Sequence, residues 1–151
     1  MSKMYGGFTS VIPLGDDIEV EEYEPTMAVG IGAEEFECDP VVGWLVCTAG
    51  VNRGKAYRLH SGTNFIGRRK RMEVCISNDL MISSNNAVLI SYDDRTNIFF
   101  IERGEGKNQV YINGKLLRSS EDLYKNDRIT IGNSEFLFFP FCGEKFKWKN
   151  I

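Results

Sequence analysis

From residue 40 onward the sequence predicts an all-β fold, a sandwich or barrel of short strands, and three observations carry that prediction. Segments of about four to seven residues, alternating or rich in β-branched and aromatic side chains, recur with turn chemistry between them. No stretch of about ten residues shows the apolar period of an amphipathic helix. Aromatic residues gather late in the chain, in Phe99, Phe100, Phe136, Phe138 and Phe139, as expected of sheet faces packed on one core.

The elements follow in order. "VGWLVCTA" alternates and is ended by the turn "GVNRG"; "KAYRL" and "NFIG" come next, then "EVCI" and "AVLISY". A "DDRTN" turn leads into "IFFIER", and "QVYING", "DRITIG" and "EFLFFPF" complete the series. Strands spaced this regularly, with Gly, Asn and Asp between them, indicate an all-β sandwich or barrel.

Composition bounds the function. With 151 residues, 42% of them hydrophobic, the chain fits one compact domain plus some extra length. It has no run of roughly 20 apolar residues, and "MSKMYGGFTS" lacks the charged start and apolar run of a signal peptide, so the expectation is a cytoplasmic protein with no membrane insertion. The four cysteines, Cys38, Cys47, Cys75 and Cys142, form no CxxC pair, and His60 is the only histidine. Cys47 and Cys75 read as buried reduced thiols. No metal, no cofactor and no catalytic residues are expected, and the chain does not read as an enzyme.

Charge divides the chain. Residues 1–39 hold ten acids against Lys3 alone, a balance of −9, so the remainder of a chain with net charge −3 carries +6. Without a sustained apolar period, residues 1–39 read as a disordered acidic tail ahead of a domain at 40–151. The basic surplus of that domain is modest and the tail would compete with nucleic-acid phosphates, so no nucleic-acid partner is expected.

The stretch "YRLHSGTNFIGRRKRMEVCISNDLMISSNNAVLISYD", followed by "KNQVYINGKLL" and "LYKNDRITIGNSEFLF", resembles a forkhead-associated (FHA) domain, a phosphothreonine-binding β-sandwich of two mainly antiparallel sheets. It is similar to small bacterial FHA proteins in which a tail with phosphorylatable threonines precedes the module. The resemblance spans roughly Pro40 to Phe141 and lies in five motifs taken in order, from the "IGR" strand end to the closing "L…D.I.IG…F.F". It implies a phosphopeptide site at Gly67, Arg68, Ser83 and Asn108: Arg68 at the Gly-Arg position, Ser83 as a phosphate donor, and Asn108 bonding the ligand peptide's backbone. A phosphothreonine carries about −1.5 to −2 charge and three acceptor oxygens, which donors of these kinds suit.

Two departures bear on that site. Where the family commonly reads Ser-Arg-x-His-Ala, this chain has Ser83-Ser84-Asn85-Asn86-Ala87, with Ser84 in place of a second cation and Asn86 in place of the histidine. Gln109 and Val110 stand where the family usually has glycine and threonine. Arg69, Lys70 and Arg71 are candidate auxiliary charges near the same loops, the alternative being a solvated basic turn. Asn86 is a candidate brace between loops, the alternative being an Asx turn.

The resemblance therefore implies a phosphothreonine-recognition module in bacterial Ser/Thr kinase signalling, its partner a phosphorylated protein or its own tail. Thr26 and Thr9 are the candidate phosphorylation sites, with Val29 and Ile12 three residues on. Fourteen positions separate Thr26 from Pro40, an extended reach of at most about 50 Å, enough to reach the module. The alternative is a degenerate FHA fold that acts as a phosphate-independent interaction scaffold.

Overall fold

The computed structural model of the chain describes residues 39–149, which hold eleven strands and no helix. In chain order these are β1 (Val41–Ala49), β2 (Ala56–His60), β3 (Gly62–Gly67), β4 (Val74–Cys75), β5 (Val88–Asp93), β6 (Ile98–Arg103), β7 (Val110–Ile112), β8 (Lys115–Leu116), β9 (Ser120–Leu123), β10 (Arg128–Ile131) and β11 (Ser134–Pro140). Six of them form a sheet in the order β2-β1-β11-β10-β7-β8, and five form a second in the order β4-β3-β5-β6-β9. Every paired strand runs antiparallel except β4 beside β3. The expected all-β architecture of two mainly antiparallel sheets is therefore present. Thr9, Thr26 and the rest of residues 1–38 lie outside the described residues.

Alternation along the strands decides which side chains form the core. On β1, Val42, Leu45 and Cys47 are buried; across the register, Leu45 faces Phe138 and Cys47 faces Phe136. The second sheet contributes Ile66, Val88, Ile90, Tyr92, Phe99 and Ile101. Phe99 joins the two, its ring centroid 4.6 Å from Tyr92 and 4.9 Å from Phe138. Each such side chain contributes about 1.5–3 kcal/mol by leaving water. Of the five phenylalanines expected in the core, Phe100 and Phe139 are only half-buried, because each follows an inward-facing phenylalanine and so points to the opposite face. Cys75 is likewise half-buried, while Cys47 and Cys142 are buried, and all three are free thiols.

Turn chemistry sets the connections. Asn113 and Gly114, at φ 52° and 86°, form the two-residue link between β7 and β8, a geometry whose twist matches that of paired strands. Between β5 and β6, Asp93 accepts from the Thr96 hydroxyl at 2.6 Å, and the Asn97 amide closes onto the Asp93 carbonyl at 2.7 Å. The buried Tyr92 hydroxyl donates to Asn97 Oδ1 at 2.6 Å, and burial pushes its pKa up to about 12. β8 and β9 have no counterpart among the strands expected from sequence. In β9 only Leu123 is buried, and the strand is defined by its pairing with β6 rather than by any alternation of its own.

Candidate functional site

Three connections meet: 68–73 between β3 and β4, 76–87 between β4 and β5, and 104–109 between β6 and β7. The parallel pairing of β3 with β4 begins the arrangement. Ile76 N donates to Gly67 O at 2.8 Å, so the chain leaves Gly67, makes a short excursion and returns alongside it. Gly67 is buried against the next loop, where a Cβ would stand 2.7 Å from Ser84 O. Only glycine permits so close an approach.

Arg68 is held along its whole length. Its amide is shared between Ser83 O and Ser84 O, at 3.1 Å each, and the Arg69 amide donates to Ser84 O at 3.0 Å. Its Nε donates to Ile82 O at 3.1 Å, and Nη2 donates to Ser84 Oγ at 2.9 Å. The guanidinium therefore lies along Ile82 and Ser84 with donors to spare, since it has five N–H groups and these bonds use two. Ser84, expected to stand in place of a second cation, shares with Ile82 O the orienting of Arg68.

Asn108 clamps the same loop from the other side. Its Oδ1 accepts from Ser83 N at 2.6 Å, and its Nδ2 donates to Met81 O at 2.6 Å. One Nδ2 hydrogen remains for any peptide backbone, so its first task is to hold residues 81–83. Among the described residues the Ser83 hydroxyl has no hydrogen-bond partner, which leaves it available to an acceptor. Gly106 lies directly over it, with no room there for a Cβ.

Asn86 braces the loops through its backbone. Its amide donates to Met72 Sδ at 3.5 Å and its carbonyl accepts from Glu105 N at 2.9 Å, with φ at 46°. Asparagine tolerates that left-handed conformation better than most residues. Arg69, Lys70 and Arg71 are exposed, and of the three side chains only Arg71 touches the site, through a 3.4 Å contact from Nη2 to Asn85 Oδ1. Gln109 is exposed and accepts from the Tyr111 hydroxyl at 3.0 Å, so it stands apart from the cluster.

Asp79, within the "SNDL" turn, was not among the candidate residues, yet it anchors the loop. It is 3% exposed. Its Oδ1 accepts from Met81 N at 3.0 Å, and its Oδ2 accepts from Asn133 N at 2.9 Å and Ser134 Oγ at 2.6 Å. Gly132, at φ 60°, opens the β10–β11 turn and would carry a Cβ within 2.7 Å of Ile82 and 3.0 Å of Asp79. Past this anchor, Leu80 and Met81 are exposed by 77% and 61%, forming an apolar lip beside the polar cluster.

The assembled group offers one oriented guanidinium, two hydroxyls and a partly committed amide, with Arg71 at its edge. Such a set suits a tetrahedral dianion attached to an extended peptide.

Comparisons with known proteins bear on the fold that carries these loops. Residues 64–132 match the family model described as FHA domain, a span that contains all three connections. Among solved structures, the chain is similar to the FHA domain of an Arabidopsis thaliana hypothetical protein, with 26% identity and a TM-score of 0.60 over 68% of this chain and 88% of that one. It is similar also to the FHA domain of the CT664 protein of Chlamydia trachomatis, with 24% identity and a TM-score of 0.59 over 66% and 98%. A third is Mycobacterium tuberculosis EmbR in complex with a low-affinity phosphopeptide, with 23% identity and a TM-score of 0.57 over 68% of this chain and 25% of that one. No curated protein matches the chain significantly.

Proposed function

We propose, from the premise that this chain carries an FHA domain, that it is a phosphothreonine-recognition module that couples bacterial Ser/Thr kinase signalling to a phosphorylated partner. The observation that carries this reading is the orientation of Arg68, laid between Ile82 O and Ser84 Oγ on either side of Ser83 in the chain, whose hydroxyl has no partner among the described residues. A long flexible cation fixed before any ligand arrives loses less conformational freedom on binding, which favours affinity. EmbR, solved with a phosphopeptide, supports the ligand class.

The test is calorimetry with peptides that differ only by a phosphate on threonine. The phosphorylated peptide binds and the plain one does not. Arg68→Ala costs at least about 1.5 kcal/mol, roughly tenfold in Kd, because it removes the guanidinium at the centre of the cluster. Ser83→Ala weakens binding by a smaller factor. Equal binding of the phosphopeptide by parent and Arg68→Ala variant overturns the reading.

A second reading keeps the fold as a phosphate-independent scaffold. The exposed Leu80 and Met81 favour it, since an apolar lip of that size suits protein contact whatever the phosphate does. It predicts that a bound partner is released by Leu80→Asp and is indifferent to phosphatase.

The acidic segment supplies a ligand within the chain. Phosphorylated Thr26 or Thr9 docks onto the module in cis and competes with external phosphopeptides, which makes the protein a switch. Tethering at an effective concentration on the order of millimolar would fill even a weak site.

A further inference from the structure

The outer face of the six-stranded sheet is apolar where a water-facing sheet is ordinarily polar. Register sets Trp44 of β1 opposite Phe139 of β11 and Val46 opposite Leu137, all four half-buried between core-facing neighbours. Past the end of β11 the chain adds three more rings. Phe141 stands 5.6 Å from Trp44 and 4.7 Å from Phe146, and Phe146 stands 5.0 Å from Trp148. A turn from Gly143 N to Phe146 O, at 2.8 Å, folds this end of the chain back, and Trp148 Nε1 donates to Val41 O at 2.6 Å, which fixes it to the start of β1. Phe141 and Phe146 nevertheless remain 40% and 39% exposed.

The rim of this cluster is basic. Lys145, Lys147 and Lys149 alternate with Phe146 and Trp148 and are exposed, and Arg58, opposite Trp44 on β2, is exposed as well. Against these four cations stand the two acids Asp39 and Glu144. Exposed rings edged by lysines favour an occupant that is both apolar and acidic. A second copy of the chain would bring the same cations and be repelled. A nucleic acid stacks on free ring faces, whereas these rings pack tilted and edge to face against one another.

The cluster lies far from the phosphate loops. β11 runs from Ser134, bonded to Asp79 beneath those loops, to Pro140 beside Phe141, and seven residues at about 3.4 Å each separate its ends by about 20 Å. We propose that this face of rings and lysines docks an acidic segment of a partner protein, one with apolar side chains among its carboxylates. The domain then holds two partners at once, the second without need of phosphate.

Trp44 and Trp148 are the only tryptophans in the chain, so the intrinsic emission of the full chain reports this face directly. The probe is a short synthetic peptide of glutamates and glycines interrupted by phenylalanines, compared with one that has serine for phenylalanine and one that has lysine for glutamate. Affinity is read in parallel from the anisotropy of the labelled peptides. Expected is a saturable change in emission with the acidic phenylalanine peptide, binding at least about threefold weaker with the serine peptide, and none with the lysine peptide. Phe146→Ala weakens binding by about threefold to tenfold, and Lys145→Glu combined with Lys147→Glu by about tenfold, more at low salt than at high. No saturable binding of the acidic phenylalanine peptide overturns the proposal. So does binding that is lost in Arg68→Ala and kept in Phe146→Ala, which puts the peptide on the phosphate loops. Emission that responds to phosphatidylserine vesicles and not to the peptide, or that shifts with protein concentration alone, identifies a membrane or a second copy as the occupant and overturns it equally. Emission of the free chain that shifts on adding salt, with no peptide bound, assigns the face to the chain's own acidic residues and does the same.

Discussion

Arg68 is already held by hydrogen bonds within the chain, and Ser84 is half of the reason. The Ser84 hydroxyl accepts from Nη2 at 2.9 Å and so keeps its own proton to donate. Counting charges alone, serine at this position is a lost cation, and Ser84→Arg restores it, with a gain of up to about tenfold and a steeper dependence on salt. The geometry adds an opposing effect: the same substitution removes the acceptor that orients Arg68 and sets two like charges within reach of each other. Ser84→Ala separates the two effects, because it deletes the acceptor without adding charge. Phosphopeptide binding by Ser84→Ala is expected to weaken by about threefold to tenfold with an unchanged salt slope, as befits a hydrogen bond to a half-exposed charge. Calorimetry at two salt concentrations checks both variants. An Ala variant that binds as tightly as the parent would show that Arg68 needs no orientation from this residue.

At the level of elements, the loop between β4 and β5 owes its shape to a carboxylate buried under the β10–β11 turn. Asp79 collects three hydrogen bonds there. Asp79→Ala strips acceptors from the Met81 and Asn133 amides and the Ser134 hydroxyl, and is expected to cost about 2 to 4 kcal/mol in denaturant unfolding. Binding should weaken even where the variant is fully folded, since residues 81–83 lose one of their anchors. A variant of parental stability would mean that water replaces the carboxylate without loss. This anchor also shows where sequence reading stops. Gly67, Arg68, Ser83 and Asn108 were legible because each sits in a short motif with its own spacing, and the strands around them alternate. The partnership of Asp79 with Ser134 spans 55 positions, and no local period announces it. The partners of Ser84 and Asn108 were not legible for a related reason: which partner each amide or hydroxyl takes depends on how three loops meet. β9 escaped notice because an edge strand with three exposed polar residues carries no pattern until β6 lies beside it.

For the whole molecule, charge is the property that distinguishes the two parts of the chain. Residues 1–39 carry −9 and the remainder +6, and four of the cations in the remainder are consecutive, Arg68 to Arg71, at the phosphate loops. A phosphate on Thr26 adds about −1.5 to −2 beside Glu24, where like charges repel it, so its favourable place is among those cations. On the proposed cis reading two contributions would act together: a weak attraction of the unmodified acidic segment to the basic loops, and, on phosphorylation, a specific contact with Arg68 and Ser83. The first is screened by salt and the second much less. Phosphorylated full-length protein is therefore expected to bind an external phosphopeptide more weakly than a chain beginning near Pro40, by a factor that shrinks only partly as salt is raised. Thr26→Ala or Thr9→Ala, whichever site the kinase uses, should restore the affinity of the shorter chain. Amide shifts of Ser83, Asn86 and Asn108 report the docking directly. If those signals stay in place when the segment is fully phosphorylated, regulation in cis is wrong, and the acidic residues serve a partner other than the domain they precede.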